Sequence, residues 1–216
     1  MNIQRVFVYG ASGNGKVVAD LLLSAGKHQL AGFIDDNPGM NGANVLGFPV
    51  VGDWAWLEHE SRSSTLGVAL GVGDNRIRQA LFERCSTGGV ELLTVVHPTA
   101  AVSQFAVLEP GTVVMAKAAI NPGAHIGFGT IVNTGSVIDH DVYIGQFAHV
   151  APSAAMGGAS SLGSRSMLGM GAVVIQCVKV GSDTMIGAGA VVVRNIPDET
   201  VALGVPARVI RSCSKK

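Results

Sequence analysis

From Val102 onward every sixth residue is aliphatic: Val102, Leu108, Val114, Ile120, Ile126, Val132, Ile138, Ile144, Val150, Met156, Leu162, Leu168, Val174, Val180, Ile186 and Val192. With aliphatic residues at roughly three positions in ten, such a run arises by chance about once in 10^8. A period of six fits neither a helix face nor a coiled-coil seam; it predicts a solenoid of short parallel strands. The residue four places after each aliphatic is mostly small: Ala106, Thr112, Ala118, Ala124, Thr130, Ser136, Ala148, Ala154, Ser160, Ser166 and Ala172. Residues two apart on a strand share a face, so each small residue points inward with the aliphatic that follows it. Three hexads close one coil, giving about five coils stacked roughly 4.8 Å apart as a triangular β-prism.

The residue just before each inward aliphatic points outward, and every eighteenth such residue shares a face. One face reads Ala119, Val137, Ala155, Val173, Val191; a second reads Val113, Ile131, His149, Met167, Met185; the third reads Val107, His125, Tyr143, Ser161, Lys179. Two faces are thus apolar on the outside. Charged residues make up only 14% of the 216, so a monomer would leave much apolar surface in water. Packing the first face of one copy against the second face of the next closes a threefold ring, and a homotrimer is expected.

The first half carries a different pattern. Arg5–Gly10 reads as a buried strand, then a glycine-rich turn, then an apolar helix from about Lys16 to Ser24. Leu30–Asp35 and Leu66–Val72 read as further strands and Asn75–Cys85 as a helix, which together predict a small parallel α/β sheet. His97 precedes Pro98 and marks the boundary. The expected spans are an α/β Rossmann-like domain over 1–97, an all-β prism over 98–197 and an exit segment over 198–216.

The turn GASGNGK contains Gly10, Ser12, Gly13, Asn14, Gly15 and Lys16, at a strand-to-helix junction where open amides favour an anion. Val17 stands where a P-loop needs a hydroxyl for magnesium. The glycines resemble a rearranged dinucleotide fingerprint, with Asp35 about twenty residues on, at the ribose position. Roughly 95 residues suffice for one mononucleotide rather than a full two-lobed dinucleotide fold. The plainer reading is that the glycines only permit a tight turn. Asp35 and Asp36 either accept from a base or ribose or are solvated turn residues. Gly73, in GVGDN, ends another strand at the edge where open α/β sheets bind ligands.

Fifteen basic residues balance fifteen acidic ones, which gives no footprint for nucleic acid. The apolar run at MNIQRVFVYG is too short for a signal peptide or a membrane span. Cys85, Cys177 and Cys213 are odd in number and widely separated, which suits a reducing compartment, no disulfide framework and no zinc site. A cytoplasmic location without membrane insertion is expected.

Three histidines lie in the prism: His125, His140 and His149. His140, between Asp139 and Asp141, falls at a corner, where an imidazole and the next carboxylate can converge. The carboxylate would orient the ring and raise its basicity; the rival reading is a solvated corner histidine with two turn aspartates. His149 projects from the second apolar face and needs a polar partner: a ligand, a water or a backbone carbonyl. In the expected trimer it approaches the cleft bearing a neighbour's His140.

The hexads IGFGTI, IGQFAH, LGSRSM, VGSDTM and IGAGAV, with GVPAR at 204–208, resemble the left-handed β-helix (hexapeptide-repeat) acyltransferases. The left hand comes from that resemblance, since crossover rules favour the opposite one. The combination GASGNGK, FIDD, GVGDNRIR, HP, VNTGSVIDHD and GQFAHVAP is similar, over essentially the whole chain, to one branch. That branch holds the bacterial nucleotide-sugar N-acetyltransferases of the UDP-N-acetylbacillosamine pathway and the sialic acid O-acetyltransferases. The resemblance implies His140 as general base with Asp141 as its partner, and Asn133 facing the sugar. It implies His149 on acetyl-CoA, with backbone of the coils around Gly158, Met170 and Ala188. Ser12, Gly13, Asn14, Asp35, Asp36 and Gly73 map to the nucleotide site. Two positions depart from the pattern: Asn14 stands where histidine is common, and Ala188 where glycine is frequent.

The implied reaction is direct, metal-free acetyl transfer from acetyl-CoA to the 4-amino group of a UDP-4-amino-4,6-dideoxyhexose. No serine or cysteine is paired with a base, so no acetyl-enzyme is expected. Sugar O-acetylation, which needs the same base, is the main rival. A zinc hydratase on the same architecture needs two ligands five apart, whereas the histidine gaps here are 15 and 9. A non-catalytic nucleotide-sugar-binding scaffold is the remaining alternative.

Overall fold

A computed structural model describes residues 5–62 and 66–213, in two compact units, Met1–Pro98 and Thr99–Lys216. Residues 1–4 and 214–216 of the expected spans lie outside the described residues.

The first unit is built on β1 (Arg5–Tyr9), α1 (Gly13–Ala25), β2 (Gln29–Ile34), β3 (Asn44–Val45), β4 (Phe48–Gly52), α2 (Trp54–Ser61), β5 (Gly67–Leu70), α3 (Asn75–Thr87), β6 (Glu91–Leu92) and β7 (Val95–Val96). One sheet has the order β3-β4-β2-β1-β5-β6, with all pairs parallel except the β3–β4 hairpin. β1 lies at its centre, and Val6, Phe7, Val8 and Tyr9 are all buried. Phe7, Tyr9, Ile34, Leu57, Val68, Leu70 and Leu81 form the core on one side of the sheet. The β3–β4 hairpin and α2 fill the stretch between Asp35 and Leu66, where the apolar pattern predicts no element. Both are short, and each is set by a local device that periodicity does not register. Asp53 caps α2 by accepting from the N–H of Trp56.

The second unit is the prism. Ala101–Val102, Ala119–Ile120, Val137–Ile138, Ala155–Met156, Val173–Val174 and Val191–Val192 stack in parallel as the first face. The second face stacks Val113–Val114, Ile131–Val132, His149–Val150, Met167–Leu168 and Met185–Ile186. The third runs from Val107–Leu108 through Tyr143–Ile144 to Lys179–Val180. Each residue pairs with the one eighteen places on, as the hexad count requires. The inward aliphatics from Val114 to Val192 are 0–2% exposed. Thr112, Thr130 and Ser166, also buried, donate to carbonyls of Glu109, Gly145 and Gly181 and so bring no unpaired hydroxyl into the core.

Corners recur every six residues, from Gly111 through Lys117, Gly123, Gly129, Gly135, Asp141, Phe147, Ser153, Ala159, Arg165, Gly171, Cys177 and Asp183 to Gly189, each with φ between 51 and 76°. This left-handed backbone turns the chain sharply enough to close a triangle.

Two details differ from the sequence reading. On the second face Val113 and Ile131 are fully buried within the chain, so that column is open only from His149 upward; an outward direction on a strand does not guarantee solvent. The segment after residue 198 does more than exit. Thr200–Leu203 extends the second face in parallel with Met185–Ile186, and Arg208–Ser212 folds back antiparallel on it.

The inward columns carry the prism's stability. Leu162→Ala removes a fully buried side chain between two neighbouring coils and is expected to cost about 2–5 kcal/mol. Urea denaturation of parent and variant measures it.

Candidate active site

In the first unit three glycines are demanded by packing. A Cβ on Gly15 would lie 1.9 Å from the carbonyl oxygen of Gly10, and one on Gly71 would lie 2.7 Å from Gly15 Cα; Gly10 itself has φ 103°. Here the plain reading of the motif holds, because α1 crosses the ends of β1 and β5 at backbone contact. Gly13 and Gly73 differ: a Cβ on either meets nothing within 4 Å. Ser12 occupies the N-cap of α1 without a side-chain capping bond, and Asn14 Nδ2 is buried with no hydrogen-bond partner. The turn thus presents open space, a helix N-terminus and an unused donor.

Asp35 and Asp36 are engaged rather than simply solvated. Asp35 Oδ2 accepts from the N–H of Ala11 at 2.8 Å and its Oδ1 from the N–H of Asn37 at 2.9 Å, which braces the glycine-rich turn. Asp36 Oδ1 accepts from the Tyr9 hydroxyl at 2.8 Å and the Trp54 N–H at 3.1 Å, while Arg84 lies 3.5 Å from its Oδ2. Burial, with the Asp36 carboxylate beside it, pushes the Tyr9 phenol well above its ordinary range. A cavity of ≈ 290 Å³ opens beside these aspartates, lined by Asp35, Asp36, Pro38, Asn41, Val51, Gly52, Asp53 and Trp56. Ser12, Gly13, Asn14 and Gly73 do not line it; Asp35 links the two places through Ala11.

Arg78, which the sequence reading passed over, is fully buried behind the Gly73 loop. Its Nη1 donates to the carbonyls of Val72 and Gly73 at 3.1 and 3.0 Å, and its Nη2 to Asn75 Oδ1 at 2.7 Å. Burial lowers the guanidinium to about 10, so it stays charged at neutral pH. A trans peptide sets its C=O and N–H on opposite sides, so both inward carbonyls turn the amides of Gly73 and Asp74 outward.

In the prism His140 and Asp141 converge as the corner geometry predicts. His140 Nδ1 donates to Asp141 Oδ2 at 2.9 Å, which leaves Nε2 as the basic nitrogen of the neutral ring. Asp141 has φ 58°, and this left-handed step swings its side chain beside the preceding residue. The Asp141 bond, and then the Asp139 charge, raise the imidazole above its ordinary value. Two glycines make room for the pair. A Cβ on Gly123, in the coil below, would crowd Asp141 Oδ1, and one on Gly158, in the coil above, would lie 2.5 Å from His140 Nε2.

Asn133 and His149 form a second pair, which neither was expected to make. Asn133 Oδ1 accepts from the N–H of Thr134 at 2.8 Å, so its Nδ2 faces His149 Nε2 at 3.0 Å. The partner of the ring is therefore an amide donor, and Nε2 serves as acceptor. Both residues belong to the second face and its edge. Met170 and Ala188 are exposed at the corner that follows this face, whereas His140, Asp141 and Gly158 occupy the corner that follows the first. One chain therefore does not bring these two groups together. His125 lies on the third face, stacked on Tyr143 and 3.7 Å from Glu109. Among the described residues no three His, Cys, Asp or Glu are grouped closely enough to hold a metal ion. Nor is any helix among the described residues long and apolar enough to cross a membrane.

Sequence reasoning also missed Asn121, whose Nδ2 donates to Asp139 Oδ1 at 2.9 Å. Asn121 precedes Asp139 by one eighteen-residue coil, so coil arithmetic alone would have paired them.

With this geometry in place, the likenesses to known proteins are informative. The sequence profile of the PglD N-terminal domain matches residues 5–85. UDP-N-acetylbacillosamine N-acetyltransferase of Bacillus subtilis is 35% identical over 118 residues, 52% of this chain; the match spans about half of that relative, 51%. The crystal structure of a variant perosamine N-acetyltransferase from Caulobacter crescentus, in complex with CoA and GDP-perosamine, is 40% identical with a TM-score of 0.91, covering 96% of this chain and 97% of that one. The acetyltransferase domain of PglB from Neisseria gonorrhoeae, in complex with acetyl coenzyme A, is 38% identical with a TM-score of 0.91, covering 97% and 100%. Fold and likeness together define an enzyme of the hexapeptide-repeat acyltransferase class with a Rossmann-like N-terminal domain. Within that class the chain belongs to the family of nucleotide-sugar N-acetyltransferases.

Gly158→Ala sets a methyl group against the His140 ring. The variant should fold, shift the imidazole NMR signals of His140, and lose acetyl transfer by about 10²-fold, the scale of an ångström's misplacement.

Proposed function

We propose that the chain is an acetyl-CoA-dependent N-acetyltransferase acting on the 4-amino group of a nucleoside-diphosphate 4-amino-4,6-dideoxyhexose, a UDP sugar of the bacillosamine type, in the cytoplasm. The observation that carries this reading is the His140–Asp141 pair, with Nε2 left free over a Cβ-less Gly158. The names of the relatives support the acyl donor and the class of acceptor.

In the proposed reaction the sugar amine attacks the thioester carbonyl while His140 Nε2 takes a proton from the nitrogen. Asp141 holds Nδ1–H and stabilises the imidazolium. Backbone amides of a neighbouring coil offset the oxyanion charge. As the tetrahedral intermediate collapses the C–S bond breaks, CoA leaves, and the imidazolium returns the proton to sulfur. The products are an amide and free CoA thiol, with no acetyl-enzyme. Ser12, Gly13, Asn14, Asp35, Asp36 and Gly73 are assigned to the nucleotide, Asn133 to the sugar, and His149, Gly158, Met170 and Ala188 to acetyl-CoA.

The separation of these groups onto two corners supports a homotrimer. Juxtaposing the first face of one copy with the second face of the next unites His140 with a neighbour's Asn133 and His149, and covers Val137, Val173 and Met185, each more than a third exposed in one chain. Sedimentation should give a mass three times that of the chain, and a monomer would remove the shared site.

Thiol release from acetyl-CoA, measured against UDP- and GDP-4-amino sugars and free sialic acid, tests the substrate. Turnover of a UDP-4-amino-4,6-dideoxy sugar is expected, lost by about 10²–10⁴-fold in His140→Ala. Activity on sialic acid alone would overturn the reading.

The pH dependence follows from the sign of the shift. A base works unprotonated, so kcat/KM falls as pH drops through the raised value of His140. Asp141→Asn removes the larger cause of that rise. It should carry the acid limb to lower pH and depress the plateau, while the ionisation of the substrate amine stays common to both enzymes.

A further inference from the structure

The mechanism above leaves Asp139 unused, although this carboxylate is the most connected group at the corner. Its Oδ1 accepts from Asn121 Nδ2 in the coil below at 2.9 Å and from the backbone N–H of His140 at 2.8 Å. One side chain therefore ties the coil carrying the base to the coil below it, and one of its two donors is the backbone of the residue carrying the imidazole. These bonds hold Asp139 below the ordinary carboxylate range, with the Asn121 bond the largest cause, so it stays charged wherever His140 titrates.

We propose that Asp139 is a positioning residue for His140, fixing its backbone against the coil below, with Asn121 as the donor that holds Asp139 in place. The inference rests on the reading of His140 as base. It assigns the two flanking aspartates different work: Asp141 grips the ring and Asp139 grips the main chain beneath it. The charged groups facing the imidazole are these two alone among the described residues of its unit. The coil below contributes Asn121, Pro122 and Gly123, and the coil above Gly157, Gly158 and Ala159, none of which titrates at neutral pH.

The test compares Asp139→Asn, Asn121→Ala and His140→Ala in the full-length protein, by kcat, both KM values, the kcat/KM–pH profile and thermal melting. Asp139→Asn removes the charge and should lower kcat about tenfold, move the acid limb to lower pH, and leave both KM values within about twofold. Asn121→Ala loosens the carboxylate but keeps its charge, so kcat should fall with a smaller movement of the limb. A merely structural role predicts a lower melting temperature with the acid limb unmoved, and that outcome overturns the proposal. So does an Asp139→Asn profile that superimposes on the parent while His140→Ala is inactive. If His140→Ala retains full activity, the failure lies in the base assignment itself, and the two outcomes are distinguishable.

Discussion

The chain turns a corner every six residues, and the rest of the molecule is arranged around that requirement. Each corner forces one residue into the left-handed backbone region, which costs an ordinary residue on the order of 1 kcal/mol. Glycine holds several of these corners, but Lys117, Asp141, Phe147, Arg165 and Cys177 hold others. The strain at those positions is sustained by the inward column of aliphatics, buried from Val114 to Val192, and by backbone bonds running up each face. At Asp141 the same conformation does something further: it folds a carboxylate back onto the imidazole before it.

The prism was legible because its signal is redundant. A period of six repeated from Val102 to Val192 identifies the inward column, the coil length and the occupants of all three faces, and the observed pairings follow that count. The convergence of His140 and Asp141 was legible for the same reason. In the first unit the strongly apolar strands β1, β2 and β5 were readable, while the β3–β4 hairpin and α2 were not, since a two-residue strand and an eight-residue helix have too few turns to set a period. Arg78 was hidden for another reason. An arginine in a helix reads as a solvated charge, and only the fold reveals that three acceptors gather around it. The Asn133–His149 bond escaped because each residue was considered singly rather than through the coil that sets them side by side.

The glycines show how one motif serves two ends. Gly10, Gly15 and Gly71 let α1 pass over the sheet at backbone distance, a purely steric need. Gly13 and Gly73 meet no such need, and they border the open helix end and the outward amides behind which Arg78 is buried. A pattern of glycines alone cannot separate these roles, because a missing side chain looks the same whether protein or solvent fills the gap.

The coil length also restricts how such a chain can change in evolution. Insertion or loss of a whole eighteen-residue turn preserves the vertical alignment of every residue above it. A gain or loss of six would instead rotate everything beyond it by a third of a revolution. Gly158 would then leave its place above His140, and Asn121 its place below Asp139. Length variation among relatives should therefore collect at the two ends of the prism and in excursions at its corners, leaving the span from Asn121 to Gly158 uninterrupted.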